Sequence, residues 1–267
     1  MDGAKEAWGS TEAYERFVGR WSRRVALEFL EWLDTGRGLR WGDVGCGTGA
    51  LTDSILRRWE PAAIVAIDRA EGFVGAARKR VEDPRVQFDV GDALALTWPT
   101  GACDVSVSGL VLNFVADARA MISEMARVTR PGGTVGAYVW DYSGGMQMVR
   151  HFWDVAVQVN PNDSKLDQAE RFPICQPGPL EALFREVGLD AVAVRAIEVA
   201  TVFRDFEDYW APFMGRQGSA PTYLAGLEAG TRDRIRDLLR DRLPAAADGT
   251  IALTAMAWAV KGRVQPA

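Results

Sequence analysis

From residue 39 onward the chain alternates short apolar runs with stretches of helical spacing. Residues 39–44, 62–67, 86–90, 104–111 and 134–140 read as strands, and residues 50–59, 72–81 and 116–129 as helices between them. Arg130-Pro131-Gly132-Gly133 closes the third helix. Strands separated by helices of this length form βαβ units, so the expected fold class is α/β, with a mostly parallel sheet covered on both faces. Ahead of it, Phe17, Trp21, Val25, Phe29 and Leu33 recur at every fourth position of residues 11–34, an apolar stripe on a helix or helix pair.

After the fifth strand the rhythm fails. Residues 143–176 mix apolar and polar positions, 179–187 return to a helix, and 192–203 read as a sixth strand. Leu224, Leu227, Ile235, Leu238 and Leu243 keep helical spacing through 204–249, and 251–261 form a last, mostly apolar strand. The expected organisation is an N-terminal helical cap (1–38), a core (39–142), a cap insertion (143–176), the core continued (177–203), a helical cap insertion (204–249), and a last strand and tail (250–267). The three cap pieces are expected to gather in space, because long insertions in a regular scaffold are where specificity usually resides.

Composition narrows the picture. The chain has 267 residues, of which 48% are hydrophobic, enough for a substantial core. Its formal charge is −5 and it has no dense Lys/Arg block, so neither nucleic acid nor an anionic membrane is an expected partner. Cys46, Cys103 and Cys175 are far apart and form no CxxC pair, which argues against a disulfide framework, a zinc knuckle or an iron–sulfur cluster; no metal is expected. No run of about 20 apolar residues is present, and the polar N-terminus lacks a signal-peptide core. The expected location is the cytoplasm.

The candidate chemistry lies at three strand ends. Asp43-x-Gly45-x-Gly47-x-Gly49 leaves the first strand and enters a helix. Glycines allow a sharp turn and close ligand approach, the helix N-terminus offers unpaired N–H groups, and Thr48 is suited to cap the helix. A dinucleotide loop spaces its glycines GxGxxG around a pyrophosphate. Here the spacing is GxGxG, and an acid stands two residues ahead. That acid would repel a pyrophosphate but accept a hydrogen bond from an ammonium. Asp68 ends the second strand at the distance where an acid meets ribose hydroxyls. Gly91-Asp92-Ala93 follows the third strand, where a carboxylate can accept from an exocyclic amine. S-adenosylmethionine carries an ammonium, a carboxylate and no phosphate, which fits this set.

In these motifs the chain resembles the class I S-adenosylmethionine-dependent methyltransferases of the type-11 small-molecule group, over residues 39–140, with weaker support from Arg130-Pro131-Gly132-Gly133 and the last strand. The resemblance implies a Rossmann-like seven-stranded sheet with an antiparallel last strand. It places Asp43, Gly45, Gly47, Thr48 and Gly49 near the methionine moiety, Asp68 on the ribose, Asp92-Ala93 at the adenine, Arg69 on the adenine face and Leu110 beside the methyl donor. Tyr14, in an entry helix that also looks like this group's, would close over the cofactor. One feature departs from the group: Trp41-Gly42 replaces the usual aliphatic pair before the acid.

Methyl transfer from a sulfonium is an in-line displacement, so positioning the acceptor supplies much of the catalysis. His151, the only histidine, is the candidate general base, against a packing role beside Phe152 and Trp153. Asp141 and Tyr142 are alternatives, and Asn113 is a candidate for orienting an acceptor. Asn113-Phe114-Val115-Ala116 lacks the proline of an amino-methylating Asn-x-Pro-x motif. Trp153, Tyr209 and Trp210 either line an apolar acceptor pocket or pack the cap; Cys46 and Cys103 read as small buried residues. The expected function is methylation of a small-molecule acceptor at O, N or C. The alternatives are an enzyme that binds the cofactor without transferring methyl and an NAD-dependent oxidoreductase.

Overall fold

The structure, a computed structural model, describes residues 19–215 and 218–266. In chain order the core elements are α1 (Arg20–Leu33), β1 (Arg40–Val44), α2 (Ala50–Trp59), β2 (Ala63–Asp68), α3 (Glu71–Arg80), β3 (Val86–Val90), β4 (Cys103–Gly109), α4 (Ala118–Val128) and β5 (Thr129–Trp140). There follow α5 (Gln147–Val159), a 3-10 turn (Pro161–Leu166), α6 (Gln168–Arg171), α7 (Pro177–Glu186), β6 (Asp190–Phe203), α8 (Phe206–Trp210), a second 3-10 turn (Ala211–Gly215), α9 (Ser219–Gly226), α10 (Ala229–Arg242) and β7 (Ile251–Arg263). The strands form one seven-stranded sheet in the order β3-β2-β1-β4-β5-β7-β6. The first five pair in parallel, with Trp41 opposite Ile64 on one side and Val105 on the other. Reciprocal bonds, Gly132 N–H to Val264 O (2.9 Å) and Val264 N–H to Gly133 O (3.0 Å), set β7 antiparallel to β5. The expected Rossmann-like sheet with an antiparallel last strand is therefore present.

The chain separates into two compact units. The first comprises, of the described residues, 22–139, 174–197 and 258–266. In it β1 is buried on both faces, as a central parallel strand should be. On α1, Val25, Phe29 and Leu33 are buried at four-residue spacing, and Phe29 packs on Tyr138 of β5 with ring centroids 4.7 Å apart. Glu71 in the first turn of α3 and Arg78, Lys79 and Arg80 in its last complement the helix dipole. Asp117 caps α4 by accepting from Ala120 N–H.

Two expectations need correction in this unit. Thr48 is not the cap of α2: Gly49 holds the N-cap position with φ 81°, and Thr48 Oγ1 accepts instead from Arg80 Nη1 at 3.4 Å. Strand β5 starts at Thr129, earlier than residue 134, because Thr129 pairs with Cys103 before the register slips. Arg130–Gly133 is thus an irregularity within the strand. Gly133 has no room for a side chain there; a Cβ would stand 2.6 Å from the Asp104 carbonyl oxygen.

The second unit comprises, of the described residues, 19–21, 140–173, 198–215 and 218–257. Helix α5 buries Met148, Val149, Phe152, Trp153, Val155 and Ala156. Phe152 stacks on Phe213 at 4.8 Å and meets Trp153 edge-on at 5.5 Å, while Tyr209 packs on Phe203 and Phe213. No helix among the described residues is long and apolar enough to cross a membrane.

Candidate functional site

Asp43, Asp68 and Asp92 stand at or just beyond the carboxyl ends of β1, β2 and β3, which are hydrogen-bonded neighbours. This is the end of an open parallel sheet at which ligands bind. The loop 45–49 is drawn onto β2 by three bonds: Gly45 and Cys46 N–H donate to Ile67 O at 2.8 and 2.9 Å, and Gly47 N–H donates to Asp68 Oδ2 at 2.9 Å. Gly45, Gly47 and Gly49 all have positive φ. Gly45 is also tightly covered, because a Cβ on it would lie 2.6 Å from Val111 Cγ2. The segment after β4 therefore runs directly over the first glycine of the loop. Leu110, one residue before Val111, adopts φ 62°, which is strained for a branched residue.

Asp43 is fully buried. Its Oδ2 accepts from Thr52 Oγ1 at 2.6 Å, and its Oδ1 is buried without a hydrogen-bond partner among the described residues. Burial pushes its pKa up to about 7; the Thr52 bond opposes the shift and the Asp68 charge adds to it. An unpaired buried carboxylate oxygen is costly, which is why burial favours the protonated form, and a cation or donor placed at Oδ1 would favour the ionised one. The same burial, with Asp43 and Asp68 nearby, holds the Cys46 thiol protonated.

Asp68 divides its carboxylate between Gly47 N–H and Ala70 N–H, the latter at 2.8 Å. Two further lone-pair directions remain for a ligand. Asp92 is exposed and turns its own loop by accepting from Leu94 N–H at 2.9 Å. Ala93 is half-buried and Arg69 exposed. Asp43, Gly45, Gly47, Thr48, Gly49, Asp68, Arg69, Asp92, Ala93 and Leu110 thus belong to one compact unit. Tyr14 lies outside the described residues.

Two contributors were not among the expected residues. Thr52 holds Asp43, and Val111 covers Gly45. A threonine on the buried face of α2 was the available signal for the first. Nothing local in the sequence marks Val111, whose contact depends on tertiary placement. Asn113, two residues beyond Val111, is buried, and its Nδ2 has no hydrogen-bond partner among the described residues.

His151 lies on α5 in the second unit. It is half-buried, and its Nδ1 has no hydrogen-bond partner among the described residues. Burial, followed by the Arg242 charge, depresses its pKa, so the imidazole is neutral at pH 7. Asp141 is committed to a turn: Oδ1 accepts from Ser143 N–H at 2.9 Å and Oδ2 from Gly145 N–H at 3.0 Å. Tyr142 is buried against Phe172. Trp153 donates to Gln168 Oε1 and Tyr209 to the Met148 carbonyl, so both polar ends are satisfied within the packed aromatic cluster. A polar cleft of about 680 Å³ in this unit is lined by residues that include Arg150, Asp154, Lys165, Asp167, Glu170 and Arg242.

Residues 42–136 match the Methyltransf_11 family, described as a methyltransferase domain. Over this segment the core is similar to the methyltransferase domain of class I, S-adenosylmethionine-dependent enzymes. Over 119 residues the chain is 34% identical to the ubiquinone/menaquinone biosynthesis C-methyltransferase UbiE of Geobacter sulfurreducens, covering 43% of this chain and 45% of that protein. It is 30% identical over 130 residues to the trans-aconitate 2-methyltransferase of an Acidovorax species, covering 48% of each. The chain thus spans less than half the length of these relatives. A crystal structure described as a putative methyltransferase from Bacillus halodurans shares the fold with a TM-score of 0.60 over 90% of this chain and 98% of that one, at 12% identity. The matched segment of the methyltransferase domain contains every expected cofactor residue except Tyr14.

Proposed function

We propose that this chain binds S-adenosylmethionine at the Asp43–Gly49 loop and transfers its methyl group to a small-molecule acceptor. The observation that carries the reading is Asp43, a fully buried carboxylate with one unpartnered oxygen beneath a left-handed glycine loop. The cofactor's ammonium would satisfy that oxygen; a pyrophosphate would be repelled by it, which disfavours the nicotinamide alternative. On this reading Asp68 uses its free lone pairs on the ribose hydroxyls, Asp92 and Ala93 meet the adenine, Arg69 flanks its face, and Leu110 borders the methyl group.

The bound cofactor supplies a methyl group already activated on a sulfonium. The protein's part is to place the acceptor and exclude water. His151, neutral at pH 7, is the candidate base for an acceptor that must lose a proton. The two relatives named above act, by their names, on small molecules, which supports an acceptor of that kind.

Isothermal titration with S-adenosylmethionine and S-adenosylhomocysteine tests the donor side. Saturable binding that disappears in Asp43→Ala is expected. No binding at millimolar ligand would overturn the proposal. Incubation with radiolabelled methyl donor and a panel of phenols, carboxylic acids and amines then separates transfer from binding alone.

A further inference from the structure

Helix α4 reaches the loop that follows Asp92 with one acid and one base. Leu96 N–H donates to Glu124 Oε2 at 2.7 Å. Arg127 Nη2 donates to the Leu96 carbonyl at 2.8 Å, and its Nη1 to the Trp98 carbonyl at 2.9 Å. The two side chains are joined in a fork, Nε to Oε1 and Nη2 to Oε2, both at 2.7 Å. Gly101 N–H also donates to the Arg127 carbonyl. Both polar groups of Leu96, and the carbonyl two residues later, are thus held by a single ion pair.

An ion pair on a helix surface ordinarily contributes little. This one differs in what it binds. A planar guanidinium fixes two carbonyls and a carboxylate in one geometry, which a point charge cannot do. The segment it holds begins three residues after Ala93. Between Asp92 and Leu96 the chain is tied by local turn bonds, Leu94 N–H to Asp92 Oδ1 and Ala95 N–H to the Asp92 carbonyl. Displacement of Leu96 therefore reaches Asp92 through a short, bonded turn.

We propose that Glu124 and Arg127 are positioning residues that hold the Asp92–Ala93 segment in place for the adenosine end of the cofactor. The proposal rests on the cofactor reading above. It assigns no contact between either side chain and the ligand; both act through the loop backbone.

The test uses the full chain, with S-adenosylhomocysteine and adenosine as probes. Arg127→Met is expected to weaken both ligands by roughly tenfold, the scale of losing charge-assisted hydrogen bonds. Arg127→Lys is expected to recover only part of this, since it keeps the charge but not the fork. Hydrogen exchange at residues 93–96 should quicken in the ligand-free variant while β1 and β4 keep their protection. Unchanged affinities in folded Arg127→Met would overturn the proposal, as would equal quickening of exchange throughout the sheet. If Arg127→Met does not fold, Glu124→Gln takes its place; it keeps an acceptor for Leu96 N–H and should show the same ligand pattern more weakly, and wild-type affinity there would also overturn it. Failure of the wild-type protein to bind either probe would instead remove the cofactor reading.

Discussion

Gly42 leaves the space that the Trp98 ring occupies. A Cβ at residue 42 would lie 2.9 Å from Trp98 Cζ3 and 3.1 Å from Cys103 Sγ. The unusual glycine before the acid is thus explained by a large ring reaching into the sheet at β1. Restoring an aliphatic residue with Gly42→Val should destabilise the fold by about 1–3 kcal/mol through overpacking. Trp98→Leu, combined with Gly42→Val, should cost less than the two single changes added together. Chemical denaturation of the three variants measures this; strict additivity would show that the two positions are not coupled.

Gly45 faces two constraints at once, φ 79° and the Val111 methyl groups. Gly45→Ala should cost about 1–2 kcal/mol from the left-handed backbone alone, with steric strain in addition. S-adenosylhomocysteine affinity should fall with it, because Val111 must move off the loop. Val111→Ala should relieve the steric part and leave the backbone part. A thermal melt and a titration on the single and double variants separate the two contributions.

Arg150 ties α5 to the segment before α6, with Nη2 2.7 Å from Asp167 Oδ2 and Nε 2.7 Å from Asp154 Oδ1. Arg242 reaches the same Asp154 at 2.6 Å. Asp167 is buried, so Arg150→Met strands a carboxylate away from water and should destabilise the fold by about 2–3 kcal/mol. Arg37→Met removes an ion pair exposed at both ends and should change the melting temperature little. Comparison of the two melts checks the contrast.

The chain has one histidine, so its imidazole titration is read without ambiguity by NMR. Burial and the Arg242 charge place its pKa below the ordinary 6.5. Arg242→Gln should move it upward, since a nearby cation is removed. A pKa above 6.5 in the wild type would show that the imidazole is more solvated than the fold implies.

Much of this was legible in the sequence because the signals were local and repeated. Each strand–helix unit stated its own period, and three acids fell at successive strand ends in register with them. The order of strands around β1 was not among those signals, because repeated βαβ units are compatible with more than one order. What stayed hidden depended on distant contacts. The role of Gly42 needed Trp98, 56 residues away, and the cover on Gly45 needed Val111. Thr48 looked like a cap by residue type, yet a left-handed Gly49 took the N-cap position and left its hydroxyl to Arg80. Aromatic residues of the second unit could equally have lined a pocket; the hydrogen bonds of Trp153 and Tyr209 show them packed.

Asp43 links protonation to both folding and ligand. Its folded pKa of about 7 stands above the ordinary carboxyl value of 3.8. Between these limits the folded protein holds a proton that the unfolded chain has released. The ligand-free protein should therefore lose stability as pH rises from about 4 to 7, by on the order of 4 kcal/mol, and change little from this group above pH 7. An ammonium placed on the unpartnered oxygen requires the ionised carboxylate, so the sign reverses for binding. S-adenosylhomocysteine affinity should rise with pH up to about 7, with release of a proton, and then level off. Titrations in buffers of different ionisation enthalpy count that proton directly. Asp43→Asn should remove both the slope and most of the affinity while abolishing the pH-dependent loss of ligand-free stability. An affinity independent of pH between 5 and 8 would mean that the carboxylate is already ionised before the ligand arrives, or that the ligand's ammonium lies elsewhere.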